Sequence, residues 1–380
     1  MSGTAQLWLG GLGAALGALA MSYTILALYA RRWRPRRAYD SPRSVPPTTI
    51  LKPLCGAEPG LYERLRSFCQ QSCGELQIVC GVRDAADPAL GVVRRLQAEF
   101  PRLALEIAVD ATAHGTSAKV SNLINMLPHA RYDFLVIADS DVRVGPDYLQ
   151  RVIAPLLDEG VGIVTCLYGG SPRPDLWSQL GAMFINEWFM PAVRLASLCG
   201  SRSFVSGATI ALRRAALERI GGFAALADQL ADDYRLGELT RRAGLRTVLC
   251  DLDVDTAVDE ATLGDLVRHE LRWLRTIRTL QPLGYAFAGV TFGVPVAILA
   301  SVLAGASRVT LVMLAITGAA RFVLDSTPRK LRPVFAQLWL VALNDLLTFS
   351  LWCWGFATRR VQWRQARYRV ARDGTAHPIA

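Results

Sequence analysis

Between residues 48 and 255, short apolar runs rich in Val, Ile and Leu alternate with stretches whose apolar positions recur every three or four residues. The first pattern suits buried strands and the second the inward face of a helix, so the alternation predicts an α/β domain with a mostly parallel sheet covered by helices. The predicted strands are 48–54 (TTILKPL), 76–84 (LQIVCGVRD), 105–110 (LEIAVD), 133–140 (DFLVIADS), 161–167 (VGIVTCL), 208–213 (ATIALR) and 246–252 (RTVLCDL). One helix is expected to open near Asp233 and another to cover about residues 262–279. In such sheets ligands bind beyond the carboxyl ends of the strands, where Asp84 and Asp139 both stand.

Outside this block the pattern changes. Residues 7–30 carry no charge and are long enough to span a bilayer as a helix. They run straight into Arg31, Arg32, Arg34, Arg36 and Arg37. A signal peptide has its basic residues before the apolar run, so this one reads as a retained anchor, with the following domain on the cytoplasmic side. Residues 34–47, with four prolines, read as a linker. Three further apolar stretches lie at 283–305, 308–324 and 334–357. If all three spanned, the basic tail would lie outside, against the charge rule. Arg321 and Asn344–Asp345 fall in or near two of these stretches, so one of the three is expected to be re-entrant or interfacial. The expected division is an anchor at 7–30, a cytoplasmic domain at 45–281, membrane segments at 282–358 and a basic tail at 359–380.

Composition narrows the partners. The net charge of +10 is concentrated beside the membrane stretches, which suits anionic lipid headgroups, and no stripe of interleaved aromatic and basic residues favours nucleic acid. The eight cysteines have no CxxC or zinc-ligand spacing and are expected to be reduced. The chain has neither GxGxxG nor GxxxxGK[ST], so neither a dinucleotide fold nor a P-loop is supported.

Three short stretches carry candidate chemistry. In LVIADSDVRVGPDYL (135–149), Asp139 and Asp141 share one face of an extended chain while Ser140 points the other way. Two readings stand: a hard divalent cation between the carboxylates, or a solvated turn with capping aspartates before Gly145–Pro146. In LADDYRLGEL (230–239), Asp232 and Asp233 sit where a helix begins; one is enough for a cap, which leaves the other free to act as a base. In RHELRWLRTIR (268–278), His269, Arg272 and Trp273 share a helix face, where an arginine and an indole suit a phosphate and a ring or lipid chain. A basic amphipathic helix at the membrane surface is the other reading, preferred for Arg275 and Arg278. Residues 176–199, which include Trp188, read either as an interfacial helix bordering a lipid groove or as a buried domain helix.

Taken in order, GVRD (81–84), ADSD (138–141), ADDY (231–234) and HELRW (269–273) resemble the D, D, D, (Q/R)xxRW pattern of membrane-anchored glycosyltransferases of families 2 and 21, above all ceramide glucosyltransferases. Within that group the fuller runs, AKVSNLINMLP among them, are similar to the hopanoid-biosynthesis-associated glycosyltransferase. The resemblance covers roughly residues 45–285. It implies a nucleotide-sugar-binding (GT-A-type) fold, an inverting mechanism and a multi-pass protein of a bacterial-type inner membrane. Asp84 would hold the uracil of a UDP-sugar, Lys119 and Asn122 would line the donor pocket, and Asp139 would face nucleotide and sugar. Asp141, with Asp139, would bind Mg²⁺ or Mn²⁺, Asp233 would be the general base, and Arg272 with Trp273 would close over diphosphate and acceptor. His269 and Trp188 are candidates at the motif edge or for the acceptor. The implied reaction places N-acetylglucosamine from UDP-GlcNAc on bacteriohopanetetrol, with glucosylation of ceramide or diacylglycerol from UDP-glucose as the alternative. The chain departs from the pattern twice: His269 stands where the family has Gln or Arg, and Asp141 where ceramide glucosyltransferases often have glycine.

Overall fold

The computed structural model describes residues 3–35, 39–40, 44–72, 74–201, 205–324, 334–357, 360–363, 366–371 and 374–379. Arg36, Arg37, Cys73 and part of the basic tail lie outside these residues. The chain packs into two units, one formed by residues 34–171, 201–257 and 373–380, the other by residues 1–33, 172–200 and 258–372. Residues 172–200 and 258–281, expected within the cytoplasmic domain at 45–281, pack in the second of these units.

The first unit is built on an eight-stranded sheet of β1 (Thr48–Pro53), β2 (Leu76–Val82), β3 (Ala104–Val109), β4 (Phe134–Ala138), β5 (Val142–Arg143), β6 (Val161–Pro172), β7 (Thr209–Arg213) and β8 (Arg246–Val258). Their order is β3-β2-β1-β4-β7-β6-β8-β5. β1 pairs in parallel with β2 and β4, and β2 with β3, because the helices Leu61–Cys69, Ala89–Glu99 and Ala118–Met126 supply the crossovers that parallel neighbours need. β7 runs antiparallel to β4 and β6, and β5 antiparallel to β8. The sheet is therefore mixed, parallel in its first half only. Leu51, Val79, Leu135 and Ile137 of the parallel strands bury against Val120, Leu123 and Met126 of one crossover helix, each 2% exposed or less. Asp84 and Asp139 follow strands one β1 width to either side, roughly 10 Å apart across the sheet at ~4.8 Å per strand.

The second unit is helical. Among the described residues two helical segments, Thr4–Ala30 and Leu338–Gly355, are long and apolar enough to cross a membrane. The helices Pro282–Thr291 and Gly293–Leu303 are bent by 73°, and make a third candidate crossing among the described residues if the pair is one span. The expected stretch at 283–305 is thus the broken one, hinged at Phe292, while Arg308–Leu324 is a helix of 17 residues. The N-terminal helix packs closely on its neighbours through Gly13 and Gly17: a Cβ at Gly13 would lie 2.5 Å from the Ala300 carbonyl oxygen, and one at Gly17 3.1 Å from Met313 Sδ. Small residues four apart are what allow helix backbones to approach where burial from water drives little.

Helix Leu263–Leu280 opens on Thr262, whose side chain accepts from the Asp265 amide, and turns a stripe of Leu266, Glu270, Leu271 and Leu274 inward. Leu266 packs there with Leu180, Met183, Leu340 and Val341. Part of the expected tail forms an antiparallel hairpin, Arg360–Trp363 with Ala366–Val370.

Candidate active site

β4 ends at Ala138, and the next residues turn so that Val142 of β5 pairs with Thr256 of β8. This register sets Thr256 Oγ1 2.8 Å from Asp141 Oδ2, to which it donates. The Asp141 carbonyl accepts from the Ala257 amide at 2.9 Å, and the Ser140 carbonyl accepts from Arg64 Nε at 3.1 Å. Asp141 Oδ1 is buried and has no partner among the described residues. Burial first, then the neighbouring Asp139, raise the Asp141 pKa above the usual carboxylate range, against the Thr256 hydrogen bond and the Lys52 charge. Neither aspartate caps a helix.

Lys119 lies in the first turn of helix Ala118–Met126, whose N-cap Ser117 accepts from the Val120 amide. Its Nζ is 2.7 Å from Asp139 Oδ1 and 3.5 Å from Asp232 Oδ2. Burial disfavours this ammonium, but Asp139, Asp232 and Asp233 outweigh burial and hold its pKa above the ordinary lysine value. Asp232 and Asp233 open helix Asp232–Arg242, where the N-cap is Ala231 and no side chain caps. Asp233 Oδ1 accepts from the adjacent Tyr234 amide at 2.7 Å, and a Cβ at Gly207 would come within 3.1 Å of Asp233 Oδ2, close enough that the carboxylate would have to shift to admit it. Burial and then Asp232 push the Asp233 pKa up to about 6, with Lys119 opposing. A carboxylate poised there is mostly ionised at neutral pH yet basic enough to take a proton.

The loop leading into this helix is clamped from two sides. The Thr116 amide donates to Asp228 Oδ1 at 2.9 Å and the Ser117 amide to the Ala227 carbonyl at 2.9 Å. On the other side Ala376 N donates to the Asp228 carbonyl at 2.8 Å, and Leu230 N to the Gly374 carbonyl at 3.1 Å.

Lys52 is the residue that sequence reasoning missed. It is fully buried in β1, donates from Nζ to the Asp139 carbonyl at 2.6 Å, and lies 3.9 Å from the centre of the Phe68 ring. Burial lowers its pKa to about 8, even though Asp141 and Asp139 favour its charge. The available signal was a lysine inside an apolar strand run, a position lysines occupy only when paired.

Of the other candidates, Asp84 is exposed just beyond β2, its Oδ1 accepting from the Ala86 amide at 2.8 Å. Asn122 is buried with Nδ2 donating to the Gly81 carbonyl at 2.8 Å, which ties its helix to β2. The structure therefore brings Lys119, Asp139, Asp141 and Asp233 together and adds Asp232, Lys52 and Thr256.

His269, Arg272, Trp273 and Trp188 belong to the helical unit. His269 Nδ1 is bonded to Glu260 Oε1, and its ring meets Trp273 edge-on at 5.4 Å. Trp273 also packs against Phe189 at 5.1 Å and Phe184 at 5.9 Å. Trp188 donates from Nε1 to Thr291 Oγ1 at 2.8 Å.

Among the described residues no three His, Cys, Asp or Glu side chains are grouped as a protein-only metal cage. Asp141 nevertheless offers a buried carboxylate oxygen without partner, and Asp139 lies beside it. Two hard oxygen donors suit Mg²⁺ or Mn²⁺ when phosphates and waters complete the shell.

The sequence matches the model of Glycosyl transferase family 21 over residues 13–376. The chain belongs to this family. It is 22% identical over 230 residues to ceramide glucosyltransferase 1 of Caenorhabditis elegans, covering 59% of this chain and 48% of that one. Ceramide glucosyltransferase of Candida albicans is 31% identical over 120 residues, 28% of this chain and 22% of that one. The chain thus spans about half the length, or less, of these curated relatives. Among solved structures, the mannosyltransferase of Pyrobaculum calidifontis in complex with GDP-Man and Mn²⁺ superposes with a TM-score of 0.55 at 25% identity, covering 89% of this chain and 99% of that one. The mixed sheet is accordingly that of a GT-A-type glycosyltransferase.

Proposed function

We propose that this family member is a membrane-bound glycosyltransferase that moves a hexose from a UDP-sugar to a hydroxyl of a membrane lipid, with inversion at the anomeric carbon. The observation that supports it most is Asp233, its pKa near 6, held in one carboxylate cluster with Lys119 and Asp139. In the proposed reaction the Asp233 carboxylate takes the proton of the acceptor hydroxyl while its oxygen attacks the anomeric carbon. The bond from that carbon to the diphosphate oxygen breaks, and UDP leaves with the electron pair. Lys119 keeps Asp233 ionised and adds positive charge beside the donor.

Asp139 and Asp141 would hold a divalent cation, Mg²⁺ or Mn²⁺, which when bound neutralises charge on the departing diphosphate. The Mn²⁺ in the Pyrobaculum calidifontis mannosyltransferase supports this assignment. Asp84 and Asn122 are assigned to the donor, and Arg272 with Trp273 to the diphosphate and acceptor. The arginines that come after residue 30 support a cytoplasmic side for the sheet unit, in the proposed setting of a bacterial-type inner membrane.

For the acceptor, the ceramide glucosyltransferase relatives favour glucose from UDP-glucose placed on ceramide or a similar lipid. A second reading, N-acetylglucosamine placed on bacteriohopanetetrol, rests on the resemblance of the runs AKVSNLINMLP, IADSDVRVGPDYL, LADDYRLGEL and HELRWLRTIR to the hopanoid-biosynthesis-associated glycosyltransferase.

The test is an assay of the purified protein in detergent with Mn²⁺ or Mg²⁺. UDP-glucose, UDP-GlcNAc and GDP-mannose are each offered with ceramide and with bacteriohopanetetrol, and lipid products are read by mass spectrometry. Glucosylceramide or a GlcNAc-hopanoid chooses between the readings. A product from GDP-mannose alone removes the uridine assignment, and no lipid product from any pair removes the lipid acceptor. The variant Asp233→Asn should lose roughly 10²–10⁴-fold in turnover and still bind donor; normal turnover would take Asp233 out of the base role.

A further inference from the structure

Two places where one cation sits between two carboxylates differ in how firmly they are closed. In the helical unit Glu187 lies in a π-helical segment, Phe184–Phe189, and its Oε2 is 2.7 Å from Arg321 Nη1. Arg321 Nε and Nη2 are each 2.8 Å from Asp345 Oδ1. All three residues are 6% exposed or less, so this pairing is sealed from water.

In the sheet unit Lys119 stands between Asp139 and Asp232, and this arrangement is open. Its Nζ is 2.7 Å from Asp139 Oδ1 but 3.5 Å from Asp232 Oδ2, one close ion pair and one looser. The side chains of Lys119, Asp139 and Asp232 keep 19%, 33% and 16% of their surface exposed. Lysine carries a compact charge on a flexible four-carbon stem, so its ammonium can change partners while its backbone stays in the first turn of helix Ala118–Met126.

Asp232 has no part in the reaction proposed above. It is not a helix cap, because Ala231 holds that position, and its carboxylate faces Lys119. Lys52 shows what a fixed cation at this turn looks like: it is fully buried and donates to the main-chain carbonyl of Asp139, which leaves the carboxylate to other partners. Lys119 takes that carboxylate instead, the one assigned above to a divalent cation. An ammonium resting on it repels any second cation that approaches.

We propose that Lys119 is an exchangeable counterion with Asp232 as its second berth: it neutralises Asp139 until metal and nucleotide diphosphate arrive together, and then turns to Asp232. The inference rests on the assignment of Mg²⁺ or Mn²⁺ to Asp139 and Asp141. It makes metal and nucleotide bind interdependently, because the diphosphate brings the negative charge that offsets the added cation.

The test reads metal binding and not turnover. Free Mn²⁺ is followed by electron paramagnetic resonance with the full chain in detergent, with and without UDP, and corrected for the Mn²⁺ that UDP itself holds. Without UDP, Lys119→Met should bind Mn²⁺ at least tenfold more tightly than the wild type, and Lys119→Arg, which keeps the charge, should bind as the wild type does. Adding Asp141→Asn to Lys119→Met should cancel the gain. No gain in Lys119→Met, or one that survives Asp141→Asn, would overturn the proposal. Asp232→Asn reads the second berth independently: the factor by which UDP tightens Mn²⁺ binding should fall at least tenfold, and an unchanged factor would overturn the exchange. If the wild type binds no Mn²⁺ even with UDP, the metal assignment itself fails and takes the counterion with it, an outcome read without any variant.

Discussion

Thr256 Oγ1 donates to Asp141 Oδ2 across 2.8 Å, from a strand that the sequence places 115 residues away. The bond steadies the ionised form of a carboxylate that burial and Asp139 push toward the neutral acid. Thr256→Val keeps the shape and deletes the donor, so Asp141 should take up a proton more readily. Hydrogen bonds to charged groups are worth about 1.5–3 kcal/mol, so metal-dependent UDP-sugar binding, measured by titration calorimetry with Mn²⁺, should weaken at least tenfold. Metal-free UDP binding should hardly change.

The pH dependence of turnover should report Asp233. Its pKa of about 6 predicts an acid limb centred near pH 6, because protonation below that value removes the base. Lys119 lowers this pKa, so Lys119→Met should move the limb to higher pH. A limb that stays in place in the variant would separate Asp233 from the rate.

Glu270 gives a prediction about stability. It is 3% exposed on the inward stripe of helix Leu263–Leu280, neither carboxylate oxygen has a hydrogen-bond partner among the described residues, and burial together with Glu260 holds its pKa well above the usual range. Because the folded pKa is raised, the folded state binds the proton more tightly, and stability falls as pH rises from the unfolded value of about 4.3 through the folded one. Glu270→Gln should abolish that loss, raising Tm at pH 8 relative to wild type more than at pH 5 in paired thermal scans.

The clamp on the Asp228 loop should matter for rate. Ala376→Pro removes the amide that donates to the Asp228 carbonyl. Turnover should drop several-fold, with the circular dichroism spectrum and donor affinity retained, since the loop leads into Asp232 and Asp233. An unchanged kcat would show that the contact to Thr116 suffices.

Much of the sheet unit could be read from the chain, because strands buried on both faces write themselves as apolar runs. All seven predicted strands are present, most within a residue or two, and β6 and β8 run longer because polar residues continue them past the apolar core. The antiparallel half was not legible, since an apolar run records burial and not direction. The aspartates were visible as a constellation, but their partners were not: Thr256 meets Asp141 only through the β5–β8 register, and Lys52 hides in a strand. In the helical unit, Arg321 and Asn344–Asp345 stood out as polar residues in apolar stretches, whereas their meeting with one another and with Glu187 depends on helix packing. The 73° bend at Phe292 is marked in the sequence by Gly293 and by Pro295 in the first turn of the next helix, a break signal that the apolar run around it masks.

The π-helical turn at Phe184–Phe189 carries an evolutionary constraint. Such a turn differs from a regular α-helix by one inserted residue, and deleting one residue there would rotate the side chains on either side of the deletion by about 100° relative to each other. Arg321 would then lose its partner in that turn while keeping its charge. Asp345 would still pair with Arg321, so the extra residue and the carboxylate of Glu187 are expected to be gained or lost together among descendants of this gene, with Arg321 and Asp345 retained as a pair.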